Sequence, residues 1–190
     1  MKRGLFWIIL IVMCLPTTGC VIYHKPEFKG QIVDNDTKEP IEEAVVVAVY
    51  NKRTMGLGAG TLDSIINVRE TLTDKAGHFR ISSYTTIINP FSWAIDTTFI
   101  IYKPSYASRS RWNLEEIFSK GTVKEGEVPW LYNKELKFRF APGLVGLPKV
   151  RTSEERQHAR MNIDISGAEV KEQELPFLYK FINEERKNGF

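Results

Sequence analysis

The side chains that could do chemistry in this chain of 190 residues are few and scattered. Its three histidines, His24, His78 and His158, stand far apart, and neither HExxH nor any paired-histidine spacing occurs, so the usual ligands of a catalytic metal are not grouped. Asp34-Asn35-Asp36 has oxygen ligands like those that open a calcium loop, but the glycine and distal glutamate of such a loop are missing. With Thr37 and Pro40 it reads as turn chemistry, in which carboxylate and amide bond back to nearby backbone. Gly56-Leu57-Gly58-Ala59-Gly60 is glycine-rich like a phosphate loop, yet Thr61-Leu62 follows where a lysine would have to reach the phosphates. A flexible loop is expected there. No GxSxG elbow presents a nucleophilic serine. The spacing therefore predicts no catalytic set, no metal and no cofactor; a hydrolase assembled from dispersed serines and carboxylates is the alternative.

Cys20 has a clearer context. Lys2 and Arg3 precede an apolar run from Leu5 to Leu15, after which come Pro16-Thr17-Thr18-Gly19-Cys20. Crossing a bilayer takes about 20 apolar residues; this run is too short for that and suits the core of a signal peptide. Gly19-Cys20 resembles the end of a lipobox, the motif at which bacterial lipoproteins are lipidated and cut, with Thr17 where leucine is usual. The resemblance implies that residues 1–19 are removed and that the Cys20 thiol carries lipid. Three acyl chains, each worth about 0.8 kcal/mol per buried methylene, would then hold the protein on a membrane. An ordinary secretory signal and a short uncleaved anchor are the alternatives. Val21 follows the cysteine, and the absence of aspartate there favours the outer membrane, facing the periplasm, in a Gram-negative host. With Cys14 discarded and Cys20 lipidated, the mature chain has no thiol left for a disulfide, a nucleophile or a zinc site.

Charge excludes another class. The chain has 26 basic and 23 acidic residues, and two of the basic ones, Lys2 and Arg3, belong to the leader. What remains is nearly neutral, without the concentrated basic face that nucleic acid requires.

The second unusual concentration is aromatic. Residues 105–134 contain Trp112, Phe118, Trp130 and Tyr132 together with Arg109 and Arg111. Tryptophan and arginine dominate interface hot spots, and flat aromatic faces stack on sugars. Arg109, Arg111, Trp112, Trp130 and Tyr132 are thus candidate binding residues for an envelope protein or a cell-wall partner. The competing expectation is that Phe91, Trp93, Trp112 and Trp130 fold back over an open end of the domain.

The elements that must position these residues are mostly strands. Phe28 to Asp34 alternates polar and apolar residues, and Asn35 to Pro40 is dense in turn formers. Ala44 to Tyr50 is β-branched and almost wholly apolar, as a strand in the middle of a core is. Arg69 to Thr73 and His78 to Ser82 flank Asp74-Lys75-Ala76-Gly77 and read as a hairpin, with Phe79 and Ile81 inward. Thr98 to Tyr102 and Leu136 to Phe140 are further strands, the latter closed by Ala141-Pro142-Gly143. Short strands separated by turn signals predict a sandwich.

Gly30-Gln-Ile-Val-Asp34, Thr37-x-x-Pro40-Ile41, Ala44-Val45-Val46, Thr73-Asp74-x-x-Gly77-x-Phe79-x-Ile81 and Tyr102-Lys103-Pro104-x-Tyr106 together resemble the carboxypeptidase regulatory-like domain. The resemblance implies a mainly β, transthyretin-like (prealbumin-like) β-sandwich that serves as an accessory module. Its motifs are turns and core positions, and nothing in this chain corresponds to the separate catalytic domain of peptidase members.

The expected organisation is a lipidated cysteine and tether over 20–27, then the sandwich over 28–143 with long insertions at 53–67 and 105–134. A helical tail follows over 144–190. In it, Thr152 and Glu155 form a capping box for a helix to about Met161. From Pro176 to Lys187, Phe177, Leu178, Phe181 and Ile182 share one helical stripe, with Gly189 available to end the helix. That stripe either packs on the sandwich or forms a groove-binding helix. The expected function is recognition or scaffolding at a membrane; an envelope hydrolase acting on peptidoglycan or peptides and a small-ligand carrier with a deep apolar pocket are the alternatives.

Overall fold

A computed structural model describes residues 21–56, 60–121, 124–161, 163, 170 and 172–187. The signal segment, Cys20 and Gly189 lie outside them.

The architecture is mainly β: two sheets packed as a sandwich, a short ribbon along one side, and a C-terminal helix on an outer face. The ribbon pairs β1 (Val21–Lys25) with β6 (Tyr84–Ile88). One sheet runs, in spatial order, β10 (Gly126–Pro129), β11 (Lys137–Ala141), β12 (Leu144–Leu147), β2 (Phe28–Asp34) and β5 (His78–Ile81). All its pairs are antiparallel except β12 with β2. The other sheet runs β4 (Thr61–Leu72), β3 (Val45–Met55), β8 (Thr98–Tyr102) and β9 (Arg109–Asn113), and β7 (Ser92–Ala94) continues the line of β8 along the far part of β3. The described residues also form the α-helices α1 (Glu115–Ser119), α2 (Ser153–Met161) and α3 (Pro176–Lys187), with a short 3-10 turn over Glu172–Glu174 ahead of α3.

The apolar run of β3 explains why this sheet has two covered faces. A strand with one wet face alternates, whereas Val45 to Tyr50 is buried throughout. Val46, Ala48 and Tyr50 point into the sandwich with Phe28, Ile32, Phe79, Phe99, Phe138 and Val145. Val45, Val47 and Val49 point the other way, where Leu175, Leu178 and Ile182 of the tail cover them with Val68, Ile100 and Tyr102. Glu70 of β4 fixes the helix start by accepting the backbone N–H groups of Phe177 and Leu178 at 2.6 and 3.0 Å, which satisfies donors that a helix N-terminus leaves open. The tail stripe is therefore a core face; Phe177 at its margin stays partly exposed.

Turn chemistry holds the strand ends. Asp34 Oδ1 accepts the N–H groups of Asp36 and Thr37 at 2.8 and 3.0 Å, so this segment is the turn expected. Gly77 has φ +72°, and a Cβ there would come within 2.4 Å of the Ile32 carbonyl oxygen. Only glycine fits that corner. The capping box forms as read: the Glu155 N–H donates to Thr152 Oγ1, and Glu155 Oε2 accepts the Thr152 N–H, both at 3.1 Å.

Four expectations need correction. The segment after Cys20 is not a tether: Val21 is already paired with Ile88, and Tyr23 is buried in the core. Behind it the Lys25 ammonium is buried against both oxygens of Glu115, at 2.7 and 2.8 Å, locking the ribbon to α1. Residues 53–67 are not a long loop but the outer half of the β3–β4 hairpin, paired from Met55↔Thr61 inward, with Leu57 to Ala59 outside the described residues. Residues 69–73 and 78–82 do not pair with each other; β4 pairs with β3 and β5 with β2, so Asp74 to Gly77 is a corner between sheets. Finally, residues 105–134 contain β9, α1 and β10 and are part of the sandwich.

Candidate functional site

The aromatic residues of that last segment are where the structure departs most from a binding surface. Trp112 is 8% exposed and packs edge-on against Phe138, with ring centroids 5.0 Å apart. Trp130 is 1% exposed and donates its Nε1–H to the Ser108 carbonyl at 3.1 Å. Both are core residues, as the fold-back expectation had it. Phe91 and Trp93, in contrast, are exposed. Arg109 is half-buried with its guanidinium 5.5 Å from the Trp112 ring, so its cation–π contact supports the core rim. Tyr132 is partly exposed, stacked on His158 of α2 at 4.3 Å and 13°. With Asn133 Nδ2 donating to Glu155 Oε1 at 2.7 Å, it clamps the segment to the tail. Arg109 and Trp130 border a small hollow beside Val128 and Pro129, and Arg111 lines a larger open site.

That site is a cleft of about 760 Å³ on the outer face of the β4–β3–β8–β9 sheet, beyond the area covered by α3. Its volume is within the range of about 300–1,000 Å³ common to ligand sites. Strand periodicity builds it. Val49, Asn51 and Arg53 of β3 share the outer face, with Ile65 opposite Asn51 and Asp63 opposite Arg53. Thr98 and Ile100 of β8 and Asn113 of β9 continue the floor, and Trp93 to Asp96 form a rim. A register shift between β8 and β9 places Arg111 in the left-handed region, φ 51°, on the cleft wall. Such a bulge re-aims a side chain out of the ordinary alternation.

The polar groups of the cleft are held in fixed pairs. The Arg53 guanidinium grips Asp63 with two bonds of 2.5 and 2.8 Å, and this bidentate contact holds the Asp63 carboxyl below the usual carboxylate range. Asn113 Nδ2 donates to Asp96 Oδ2 at 2.7 Å. Asn51 Nδ2 donates to the Val49 carbonyl at 3.0 Å and to Thr98 Oγ1 at 3.2 Å. Val49, Ile65 and Ile100 give an apolar base between them. This arrangement suits an extended polar ligand: a tryptophan edge for a flat or apolar group, an arginine–aspartate pair for amide or hydroxyl groups, and a floor of paired strands.

Among the described residues, no group of three or more His, Cys, Asp or Glu converges as a metal site would require. His24 bonds to Thr85 Oγ1 on the ribbon, and His78 faces solvent from β5. Arg53, Asp63, Trp93, Asp96 and Asn113 were not among the sequence candidates. Their signal is the alternation of Asn51 with Arg53 and of Asp63 with Ile65, which the glycine run between them hides.

Comparison with protein-family models, curated proteins and solved structures yields no match to this chain. Among the described residues, no helix is long and apolar enough to cross a membrane.

Proposed function

We propose that this is a lipid-anchored protein of the bacterial cell envelope whose β-sandwich is a non-catalytic recognition or scaffolding module of the carboxypeptidase regulatory-like type. The Gly19-Cys20 sequence and its short apolar leader support the anchor. The turn and core motifs from Gly30 to Tyr106, set in a two-sheet sandwich, support the kinship. The observation that carries the recognition role is the cleft: tryptophan, arginine and paired polar groups fixed on a four-stranded floor. Preorganised polar contacts around an apolar base favour binding because little conformational freedom is lost when a ligand arrives.

Photo-crosslinking in cells tests it, with the crosslinker placed at Trp93 or Ser64 and, as a control, at Leu131 outside the cleft. Both cleft positions are expected to give one reproducible adduct that Leu131 does not give and that Arg53→Ala weakens. An adduct unaffected by Arg53→Ala, or none from either cleft position, would refute recognition through this cleft. An envelope enzyme would instead lose turnover abruptly on Asp63→Asn or Asp96→Asn with the fold intact.

A further inference from the structure

Six large apolar side chains that water can reach lie along the ribbon and the outer part of β3, β4 and β7 that the chain reaches directly after it. Ile22 and Ile87 face each other across the ribbon, 69% and 66% exposed. From Ile87 the chain runs through Ile88-Asn89-Pro90 to Phe91, 67% exposed, whose carbonyl accepts the Met55 N–H at 3.0 Å. Met55 is as exposed as these, and Leu62 lies across the hairpin from its neighbour Thr54; Trp93 follows on the cleft rim. Isolated exposed apolar residues are ordinary, whereas a gathered set marks a surface that meets something apolar.

The nearness of β1 to Cys20 along the chain says what that something is. Val21 is the first residue of β1 and is hydrogen-bonded to the ribbon. Cys20 is its covalent neighbour, so chain connectivity alone keeps the Cα of the proposed anchoring residue within about 7 Å of that of Ile22. We infer that this apolar edge, Ile22, Ile87, Phe91 and Met55, docks on the lipid surface in which the Cys20 acyl chains are buried. The inference rests on the lipid-anchor reading above. With β1 starting one residue after the anchor, the domain has little room to swing away, and the side chains beside the anchor either meet the bilayer or face water at its surface. Large apolar side chains favour the first, since each buried methylene contributes about 0.8 kcal/mol. The orientation that follows holds the ribbon and the hairpin end toward the membrane.

The test uses the full chain, lipidated in cells and reconstituted into vesicles of phosphatidylethanolamine and phosphatidylglycerol. Because Cys14 leaves with the leader and Cys20 is capped by lipid, Ile87→Cys, Phe91→Cys and Leu131→Cys each carry a single free thiol. Labelling with a charged, membrane-impermeant maleimide is timed for each, relative to the same protein unfolded in urea. Ile87→Cys and Phe91→Cys are expected to react about tenfold more slowly than Leu131→Cys, a protection equivalent to about 1.4 kcal/mol of docking. Equal rates at all three positions in lipidated protein would overturn the docking while leaving the anchor standing. Protection in native envelopes that is absent from pure lipid vesicles would assign the edge to a protein partner and overturn it equally. Intact mass settles the anchor separately: an unmodified Cys20 removes the anchor reading, and the docking falls with it.

Discussion

Asp34 ties together segments that are distant in sequence. One carboxylate oxygen organises the turn after β2, while the other accepts the Tyr106 hydroxyl at 2.9 Å and meets the Lys149 ammonium at 3.1 Å. Burial works against the charge, but the Thr37 and Asp36 N–H groups, Lys149 and Tyr106 outweigh it and hold the carboxyl down at about 2 against an ordinary 3.8. The folded state therefore favours the ionised form. The stabilisation is complete above the unfolded value and disappears as pH falls through the folded one, a contribution of about 2 kcal/mol at neutral pH. Asp34→Asn is expected to lose roughly that amount at pH 7, and its urea-unfolding free energy should fall less steeply than that of the wild type between about pH 4 and pH 2. Parallel acid limbs for the two proteins would show that Asp34 does not supply this linkage.

Helix α3 behaves as part of the sandwich at the level of elements. Leu178 is fully enclosed and Ile182 nearly so, above a sheet face made of Val45, Val47, Val49 and Ile100. Leu178→Ala is expected to destabilise the whole domain by about 2–5 kcal/mol, the usual cost of an aliphatic truncation that leaves a cavity. Chemical denaturation should show one cooperative transition shifted as a unit. A separate early transition for the tail would mean that α3 is an appendage. The helix was legible because its stripe, Pro176 and its length agree, and so were β2 and β8 from their strand-type residues and α2 from its capping box. The miscast elements fail for one shared reason: local chemistry shows that the chain turns but not which strand pairs with which. Asp74 to Gly77 makes the same hydrogen bonds at a corner between sheets as at a hairpin tip, so β4 and β5 look paired in sequence. The Gly56 to Gly60 run makes the outer half of β3 and β4 look like a loop, and with it the cleft lined by Arg53 and Asp63 disappears from view. β12 is four residues with a glycine in the middle, and its parallel pairing to β2 spans more than a hundred residues. Trp112 and Trp130 have hot-spot residue types, and only burial reveals that the core uses them.

At the scale of the molecule, β1 follows directly on Cys20, the proposed anchor residue, and this predicts how the protein responds to proteolysis on a membrane. Proteases cut backbone that can open locally, so exposed tethers are nicked and paired strands are not. The first residues after Cys20 lie in β1, backed by buried Tyr23 and by the enclosed Lys25–Glu115 ion pair. A broad-specificity protease added to membranes bearing the lipidated protein should therefore fail to shed the domain at concentrations that do not unfold it. A flexible Gly/Ser segment inserted between Cys20 and Val21 should make shedding rapid, with the released product beginning within the insert. It should also lift the protection of Phe91→Cys from maleimide, because a flexible chain of n residues reaches about 5–6 Å × √n and lets the apolar edge leave the surface. The cleft gives this arrangement its functional sense. It lies on the sheet whose hairpin end the proposed docking turns to the lipid, so whatever enters between Trp93 and Arg53 would be met near the membrane rather than at the end of a long arm. If the uninserted protein were shed as readily as the inserted one, and cut between Val21 and Glu27, β1 would be unpaired at the membrane. The domain would then move freely about its anchor, and the cleft would have no fixed height above the bilayer.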